Sequence, residues 1–509
     1  MRAFVQWHLV VLAGLVAYPA VMIVVATTNG PGISIDSVSY ASAATSFAES
    51  GHLLTYDGSA LTLFPPGFPA VLGALMAVGA SLSTATVVVN VVAVGVTVVA
   101  TYFLARQVLL GAGWSLVATA VVSVLAATVR VGSYLWTEAL FTALVTVALA
   151  LLAWAVRNRQ APWWLVVASG VLIALATTVR YVGVVAVPIV MVAIAWAARN
   201  SRVIKTLVAG AVGVAGLVVV ALRNVLIGAS AFGDRYPGSL TFDGAFSSLV
   251  LQWGDYVAPS RTTSLTVIVG SIVGLAILLG IWLVIVHRNA AGIVIGLFVG
   301  AYWIAILVSQ VGTRLDVVTE RFGAPVLASS VVLFLVAIRS VLAIASDQLA
   351  ALLGISRQRV RRGLSVVLGV VGVVVLGLSM VHAVEFVADG NRQGISLAST
   401  TAADRAIVQA VALLPTDSVV ASNDPWQVWW SRGGVVLDFP PSRAEWPSER
   451  VESDLAALIG AASDGERVFV VIDEGARASI DLSELESAGL PVQLLDDADG
   501  VVVAEVTSG

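Results

Sequence analysis

The sequence predicts a polytopic α-helical membrane protein that ends in a soluble α/β domain. Of its 509 residues, 59% are hydrophobic and only 11% are charged, whereas a soluble globular chain carries about 25% charged residues. The hydrophobic residues also form long runs, and a helix of roughly 20 apolar residues is enough to cross about 30 Å of hydrocarbon. From Glu385 onward the composition is that of an ordinary soluble domain.

Eleven apolar stretches are each predicted to form a membrane-spanning helix. They cover residues 8–27, 86–105, 113–129, 138–156, 162–180, 182–198, 205–222, 264–286, 291–311, 323–340 and 363–383. The first is too long for the apolar core of a signal peptide, so we expect an anchor helix. A twelfth stretch, residues 64–80, is shorter and begins with several prolines, and we expect it to lie at the membrane interface without crossing.

The basic residues predict which loops face the cytoplasm. If residues 64–80 do not cross, one side of the membrane receives a series of basic loops, which contain Arg106, Arg157, Arg159, Arg199, Arg202, Lys205, His287, Arg288, Arg357, Arg359, Arg361 and Arg362. This is the positive-inside pattern, and a crossing there would reverse it. We therefore predict a cytoplasmic N-terminus, a long first outer loop over residues 28–84 and an extracytoplasmic C-terminal domain, in what we expect to be a bacterial plasma membrane.

The chain is expected to divide into a transmembrane domain, residues 1–384, and a soluble domain, residues 385–509. In the second domain a helical pattern at residues 402–414 is followed by five short β-rich runs, at residues 418–421, 435–437, 467–472, 492–495 and 501–506. Amphipathic stretches separate several of these runs. Strands that alternate with helices predict a small α/β domain.

Composition also excludes several classes of protein. The net charge is −4 and the basic residues are scattered among loops, so the chain lacks the basic stripe of a nucleic-acid-binding protein. There is no cysteine, which rules out a disulfide framework and thiolate metal ligands. The four histidines do not cluster in the sequence, and a zinc site is therefore not expected.

Two acidic residues next to predicted helices are candidates for chemistry. Asp36 follows the first helix in the long outer loop, where a carboxylate meets both lipid-borne and water-borne reactants and could act as a general base. The alternative is a solvated loop acid or the N-cap of the following helix. Glu138 opens the fourth predicted helix.

The order of several short sequences is more informative than any one of them. Asp36 is followed by Tyr40, by the pair Pro65-Pro66 and by Glu138. Glu138 lies in the string SYLWTEALF at residues 133–141, and later strings are TTVRYVG at 177–183, Arg223-Asn224, GDRY at 233–236 and ERFGAP at 320–325. In this order they resemble the GT-C superfamily of membrane glycosyltransferases, and within it the protein O-mannosyltransferase and lipid A aminoarabinose transferase group. The resemblance covers about residues 8–345.

The chain departs from that group in two places. Ser37 stands where many members have a second acid, and no lysine lies near the Pro-Pro pair. Any phosphate contact of this region must therefore come from arginine.

The resemblance implies a glycosyltransferase that moves a sugar from a polyprenyl-phosphate donor to an envelope glycan, lipid or protein acceptor on the extracytoplasmic face, with inversion. It implies that Asp36 takes the acceptor's proton and that Glu138 orients the acceptor. A divalent cation, Mg²⁺ or Mn²⁺, held jointly by these two acids is the one cofactor left open. Tyr40 and Tyr181 are implied substrate contacts. The donor phosphate is implied to bind Arg180, Arg223, Arg235 and Arg321, because guanidinium groups hold phosphate with paired N–H donors.

Other interpretations remain open from the sequence. Arg180 and Arg223 could extend from helix ends to the membrane interface without binding a ligand, and Arg130, Arg261 and Arg314 are expected to be solvated charges. A transporter or lipid flippase is one alternative function, although such proteins tend to carry ionisable groups in mid-helix. A non-catalytic assembly subunit, whose outer domain does the work, is another.

Overall fold

The computed structural model describes residues 2–109, 111–238, 240–257, 263–313, 318–443, 446–498 and 500–506. Arg261 and Arg314, expected above to be solvated charges, lie outside these ranges. The chain separates into two compact units. Met1–Ala26, Thr62–Phe68 and Thr86–Ala388 form the membrane unit, whereas Thr27–Leu61, Pro69–Ala85 and Asp389–Gly509 form the α/β unit.

Helices make up most of the described chain. They are α1 (Arg2–Ala26), α2 (Ile35–Ser50), α3 (Gly67–Ala77), α4 (Leu82–Val108), α5 (Ala112–Val124), α6 (Ala126–Ser133), α7 (Glu138–Asn158), α8 (Trp163–Val179), α9 (Ala186–Ala197), α10 (Arg202–Leu226), α11 (Phe242–Val257), α12 (Thr263–Val286), α13 (Ala290–Gly312), α14 (Glu320–Leu353) and α15 (Arg357–Gln393). A 3₁₀ helix, Tyr181–Val185, lies between α8 and α9. After α15 come α16 (Thr400–Ala403), α17 (Ala406–Ala412), β1 (Val419–Ser422), α18 (Pro425–Arg432), β2 (Val436–Asp438), α19 (Ser448–Ser463), β3 (Val468–Asp473), α20 (Leu482–Ser487), β4 (Val492–Ala498) and β5 (Val501–Val506).

All of the stretches predicted to span the membrane lie in helical structure. Among the described residues, eight helices are long and apolar enough to cross, and the pair α5 and α6, bent by 50°, would make a ninth. Helix α8 has 17 residues, or about 25 Å of helix, which is somewhat less than the hydrocarbon thickness. The predicted class of polytopic helical membrane protein is confirmed, although fewer helices than the predicted eleven meet the requirement of length.

The stretch at residues 64–80 contains only the short helix α3. This helix has 11 residues, or about 16 Å of length, and is too short to cross the hydrocarbon by itself. The expected absence of a crossing helix here agrees with this length, whereas the position of α3 at the membrane interface stays a prediction. The side of the membrane on which each loop and terminus lies stays a prediction.

Glycines allow two pairs of membrane helices to approach closely. A Cβ atom on Gly216 of α10 would lie 2.0 Å from the carbonyl oxygen of Ala174 in α8, and one on Gly280 of α12 would lie 2.2 Å from that of Leu333 in α14. Neither position has room for a side chain, which is typical of helices that pack through small residues in a membrane. These contacts fix α8 and α14, whose ends carry Arg180 and Arg321.

The α/β unit is built on a five-stranded sheet with the strand order β2-β1-β3-β5-β4. Strand β1 pairs in parallel with β2 and β3, and β5 is antiparallel to β3 and β4. Helices α17 and α18 cover one face, with the buried residues Ile407, Val411, Val420, Val428, Val436 and Val471. Helices α19 and α20 cover the other, with Ala421, Val451, Leu458, Val468, Val470 and Leu485. The predicted α/β fold of the C-terminal region is confirmed, since its strands match the predicted β-rich runs to within a few residues.

Two segments of the first predicted outer loop belong to the α/β unit by their contacts. The sequence interpretation placed residues 28–84 in the transmembrane domain, but Thr27–Leu61 and Pro69–Ala85 group with Asp389–Gly509 in the structure. Thr27–Leu61 is joined to the C-terminal region by hydrogen bonds across long sequence separations, such as that between Tyr56 and Asp438. In the second segment, Gly73 packs closely on Ala44 and Phe47 of α2. Hydropathy reveals neither kind of contact. Only Thr62–Phe68 of this loop belongs to the membrane unit.

Candidate functional site

A buried carboxylate in the membrane unit holds two guanidinium groups. The side chain of Glu138 is fully buried, and its Oε1 atom accepts hydrogen bonds from Nη1 of Arg180 and from Nε of Arg321, the latter at 2.9 Å. Nη1 of Arg180 also donates to Oγ1 of Thr137 at 2.9 Å. A buried charge is stable only when it is paired and hydrogen-bonded, and Glu138 meets this condition through both arginines.

Three helix ends place these side chains together. Glu138 is the first residue of α7, Arg180 directly follows the last residue of α8, and Arg321 is the second residue of α14. Arg180 has extended backbone, with φ of −146°, so the chain leaves the helix at that residue. Charged groups at helix ends can reach one another without being buried in mid-helix, where they are costly in a membrane.

Aromatic rings surround the two guanidinium groups. Cζ of Arg321 lies 5.1 Å from the ring centroid of Trp136 and 5.7 Å from that of Phe322, and Cζ of Arg180 lies 6.0 Å from Phe322. Tyr134 stacks on Trp136 with ring centroids 4.1 Å apart. Rings at these distances attract a cation through the quadrupole of the ring, so they stabilise the guanidinium groups and limit their movement.

The N-terminus of α14 is held by further hydrogen bonds. The hydroxyl of Tyr302 donates to the carbonyl oxygen of Phe322 at 2.8 Å, and that of Tyr256 donates to the carbonyl oxygen of Glu320 at 2.7 Å. Burial raises the pKa of Tyr256 well above its usual value, so this phenol stays a neutral donor. The backbone that carries Arg321 is therefore fixed on both sides.

A second ion pair lies at the same helix end. Nη1 of Arg130 is 2.9 Å from Oε1 of Glu320, and Cζ of Arg130 lies 5.5 Å from the ring of Phe386. Arg130 was expected to be a solvated charge, but its side chain is only 38% exposed and is paired. The sequence offered one signal, since Glu320 is the acid directly before Arg321 in the ERFGAP string.

The other predicted arginines gather at a different group in the membrane unit. Oδ1 of Asn224 accepts from Nη1 of Arg223 at 3.0 Å, and its Nδ2 donates to the Tyr181 hydroxyl at 3.2 Å and to the carbonyl oxygen of Thr62 at 3.3 Å. The Tyr181 hydroxyl donates to the same Thr62 oxygen at 3.1 Å. These contacts hold Thr62, the first residue of the loop segment that belongs to the membrane unit.

Arg235 contributes to the same group. Its Nη2 donates to the carbonyl oxygen of Leu63 at 3.2 Å, and its Cζ lies 5.5 Å from the ring of Tyr181. Gly233 packs so closely on Thr62 and Leu63 that a Cβ atom would lie 2.6 Å from the Thr62 oxygen. Because Arg180 and Tyr181 are adjacent in the chain, both groups meet at the junction between α8 and the 3₁₀ helix.

Asp36 and Tyr40 lie in the α/β unit, on helix α2. The N-cap of this helix is Ser34, whose backbone N–H donates to Oγ of Ser37 at 3.0 Å in a capping box. Asp36 is therefore in the first turn and not at the cap, and it is partly buried. A carboxylate in this turn is stabilised by the helix dipole. Ser37, at the position where many GT-C enzymes of the resembled group have a second acid, thus has a structural role in capping the helix. Tyr40, on the same helix, is buried with 2% exposure.

Sequence and structure comparisons place this chain among known proteins. Residues 2–427 match the family DUF6541, described as a family of unknown function. The chain belongs to the DUF6541 family. No curated protein matches its sequence significantly.

The fold of this DUF6541 member is similar to that of solved membrane enzymes. ArnT from Cupriavidus metallidurans in the apo state matches with a TM-score of 0.62 and 15% sequence identity, over 99% of each chain. The structure of the same protein bound to undecaprenyl phosphate matches with a TM-score of 0.60 and 15% sequence identity, over 98% of each chain. The archaeal oligosaccharyltransferase AglB from Archaeoglobus fulgidus, in complex with an inhibitory peptide and a dolichol-phosphate, matches with 0.57 and 13% identity over 98% of this chain and 74% of that chain. Both are GT-C glycosyltransferases, and the predicted GT-C fold is confirmed.

The structure thus divides the predicted site residues of the DUF6541 chain into three sets. Glu138, Arg180 and Arg321 form one group, Tyr181, Arg223 and Arg235 form a second, and Asp36 and Tyr40 share helix α2. Sequence analysis did not assign roles to Thr137, Trp136 or Asn224. Asn224 was visible only as a neighbour of Arg223, and its complete burial, at 0% exposure, is a property of the packed structure.

The contacts of Glu138 indicate whether this residue could help bind the divalent cation that the sequence left open. Among the described residues no group of three or more histidine, aspartate and glutamate side chains could hold a metal ion. Glu138 already accepts from two guanidinium groups, and a cation bound there would meet repulsion from both. Glu138 therefore does not fit the role of a metal ligand, and the metal requirement stays a prediction.

Proposed function

We propose that this chain is a glycosyltransferase that moves a sugar from a polyprenyl-phosphate donor to an envelope glycan, lipid or protein acceptor outside the cytoplasm. The observation that carries the proposal is the group of Glu138, Arg180 and Arg321, in which one buried carboxylate orients two guanidinium groups. Two proteins of the same fold support a lipid phosphate as the carrier, because ArnT was solved with undecaprenyl phosphate and AglB with a dolichol-phosphate.

The proposed donor requires cations more than it requires an acid. When the bond between the sugar and the phosphate oxygen breaks, negative charge builds on the phosphate. Donors that are oriented before the reaction stabilise this charge strongly, and the loss of one such donor lowers a rate by about 10²–10³. Guanidinium groups suit this role because they offer paired, planar N–H donors. Glu138 holds Arg180 and Arg321 in place, so little reorganisation is needed during the reaction.

On the acceptor side we assign the base to Asp36. The acceptor hydroxyl gives its proton to the Asp36 carboxylate while its oxygen forms a bond to the anomeric carbon. The bond from that carbon to the phosphate oxygen breaks on the opposite face, and the polyprenyl phosphate leaves with the bonding electrons. One displacement of this kind inverts the anomeric configuration.

The remaining site residues are assigned positioning roles. Glu138 positions the two arginines, in place of the acceptor contact that the resemblance implied. The backbone at Thr62 and Leu63 is held directly by Tyr181 and Arg235. Arg223 contributes through Asn224, which donates to the Thr62 oxygen. No step of this mechanism uses a metal ion, and activity that is lost with EDTA and restored by Mg²⁺ or Mn²⁺ would require one to be added.

The proposal is tested with the full chain purified into lipid nanodiscs. Radiolabelled polyprenyl-phosphate sugars of several kinds are supplied with candidate acceptors, and product formation and its anomeric configuration are measured. We expect an inverted product from at least one donor, with strong losses in Asp36→Asn and Arg321→Gln. Transfer that survives both substitutions would overturn the site assignment. Movement of intact lipid across vesicles without any transfer would favour a flippase instead.

A further inference from the structure

The segment that carries Asp36, residues 27–61, is attached to the C-terminal domain through its first residues. Oγ1 of Thr28 and Oδ1 of Asn391 are 2.5 Å apart, and Nδ2 of Asn29 donates to the carbonyl oxygen of Asn391 at 2.8 Å. Ile33 pairs with Ser396 as in a parallel sheet, and the backbone N–H of Leu397 donates to the Ile33 oxygen at 3.1 Å. These contacts lie just before Ser34, the N-cap of helix α2.

The same segment is attached to the C-terminal domain again after α2. The backbone N–H of Val436, in strand β2, donates to the carbonyl oxygen of Tyr56 at 2.9 Å, and the hydroxyl of Tyr56 donates to Oδ2 of Asp438 at 3.1 Å. Burial and the carboxylate of Asp438 raise the pKa of Tyr56 well above its usual value, so its hydroxyl remains a donor. Between the two attachments, α2 itself packs against α18 of the domain.

Arginines of the domain fix the acceptor of the Tyr56 hydrogen bond. Oδ2 of Asp438 accepts from Nη2 of Arg450 at 2.7 Å, and its Oδ1 accepts from Nη2 of Arg477 at 2.8 Å. Asp438 is the last residue of β2, in the parallel part of the sheet. Tyr56 therefore bonds to a carboxylate whose position is set by the sheet and by two ion pairs.

We infer that the C-terminal domain, residues 389–509, positions helix α2, whose second residue is Asp36. This inference rests on the proposed function, because it makes the domain a positioning element for the proposed base. Helix α2 has 16 residues, and an isolated helix of that length is marginally stable in water. With α2 attached at both ends and packed along α18, the domain holds the Asp36 carboxylate at one place relative to the sheet. The alternative roles are recognition of the acceptor and a passive cover.

The first arm of the test measures the position of α2 without any assay of activity. The chain has no cysteine, so Glu49→Cys on α2 and Leu413→Cys after α17 give two unique spin-label sites, both exposed. We expect one narrow distance distribution in the otherwise unchanged chain. The double variant Asn29→Ala with Tyr56→Phe should broaden it at least twofold, because it removes the hydrogen bonds from Asn29 to the carbonyl oxygens of Gly390 and Asn391 and the one from Tyr56 to Asp438. The control is Arg443→Ala, which removes the exposed pair with Glu484 at 3.2 Å and should leave the distribution narrow.

The second arm measures sugar transfer by the same variants without spin labels. We expect the double variant to lower kcat at least tenfold and to change KM for the donor less than twofold, because the base moves and the arginines do not. Arg443→Ala should keep kcat. A narrow distribution in the double variant, or an equal loss of kcat in the control, would overturn the inference. If the unmodified chain transfers no sugar while the distribution broadens as expected, the proposed function fails and the attachment of α2 is retained.

Discussion

The buried group at Glu138 provides the sharpest test of the proposed mechanism. Glu138→Gln keeps the size of the side chain and removes its charge. Nε of Arg321, at 2.9 Å, and Nη1 of Arg180 then lose their charged acceptor. Each hydrogen bond to a charged group contributes about 1.5–3 kcal/mol, and removal of one partner from a buried pair costs about 3–5 kcal/mol.

These magnitudes predict two measurable effects. The free energy of unfolding should fall by about 3–5 kcal/mol, since two buried guanidinium groups lose their counter-ion. If the arginines no longer point at the phosphate, the loss should be similar to that of one preorganised donor, and kcat/KM should fall by about 10²–10³. Transfer of labelled sugar in nanodiscs and chemical denaturation of the same preparation provide both measurements.

The matched control is Arg130→Gln. It removes an ion pair at the same helix end, between Nη1 of Arg130 and Oε1 of Glu320 at 2.9 Å, but this pair is partly exposed. Exposed pairs contribute about 0–1 kcal/mol, so we expect kcat/KM to fall less than tenfold. The double variant Glu138→Gln with Arg321→Gln should have a kcat/KM only slightly below that of the less active single variant. The two losses should not add, because both changes disrupt the same group of side chains.

One result would refute this reasoning directly. If Glu138→Gln retains kcat/KM within threefold of the unmodified chain, Glu138 does not position the arginines for the reaction. If Glu138→Gln is inactive while Arg180→Gln and Arg321→Gln are active, Glu138 acts on the substrate itself, as the resemblance first implied.

Asp36, Asn224 and Asp454 each provide a separate test, by activity, by stability and by pH dependence. Asp36→Asn should lower kcat by about 10²–10⁴ and leave the binding of the lipid phosphate unchanged, measured by equilibrium binding of an unreactive analogue. Asn224→Ala should lower the free energy of unfolding by about 1–3 kcal/mol, because it leaves the partly buried Thr62 oxygen and Tyr181 hydroxyl with fewer partners. Asp454→Asn should make the thermal unfolding of the C-terminal domain less dependent on pH between pH 5 and pH 8.

The raised pKa of the Asp454 carboxyl determines how the stability of the C-terminal domain changes with pH. Burial, with Asp438 adding to it, raises the pKa of Asp454 to about 7. A carboxyl whose pKa is higher in the folded state stabilises the fold most at low pH, and this contribution is lost as the pH rises through about 7. Calorimetry should therefore show lower stability at pH 8 than at pH 5, with a smaller difference in Asp454→Asn. An unchanged difference in that variant would assign the pH dependence to other groups.

Each of the other two predictions has an outcome that contradicts it. Full activity in Asp36→Asn would remove that residue from the role of base. For Asn224→Ala, an unchanged free energy of unfolding would mean that water replaces the lost hydrogen bonds. Thr206→Ala, on an exposed face of the same helix α10, is the control for the free energy of unfolding.

The helices and strands could be predicted well because the signals for them are local. The apolar run at residues 264–286 reads as a helix from its own composition, and α12 covers Thr263–Val286. The β-rich runs in the C-terminal region likewise became strands. The bend between α5 and α6 was not predicted, since it interrupts a continuous apolar stretch without a proline.

The sequence predicted individual residues of the candidate site but not the contacts between them. Glu138, Arg180 and Arg321 were each selected, yet the sequence did not show that they share one carboxylate oxygen. Their separations along the chain are 42 and 183 residues, and partners so far apart are chosen by the packing of α7, α8 and α14. The ion pair between Arg130 and Glu320 was missed for the same reason.

By itself the sequence determined the membrane class, the order of the helices and the α/β character of the C-terminal region, because burial in lipid and strand formation depend on the apolar content of consecutive residues. The tertiary structure decided which charges neutralise one another and where the first loop belongs. Tyr56 and Asp438 are 382 residues apart, and their hydrogen bond helps join the segment of Asp36 to the domain at the end of the chain. Contacts of this kind depend on the relative positions of packed elements, which no local pattern of residues encodes.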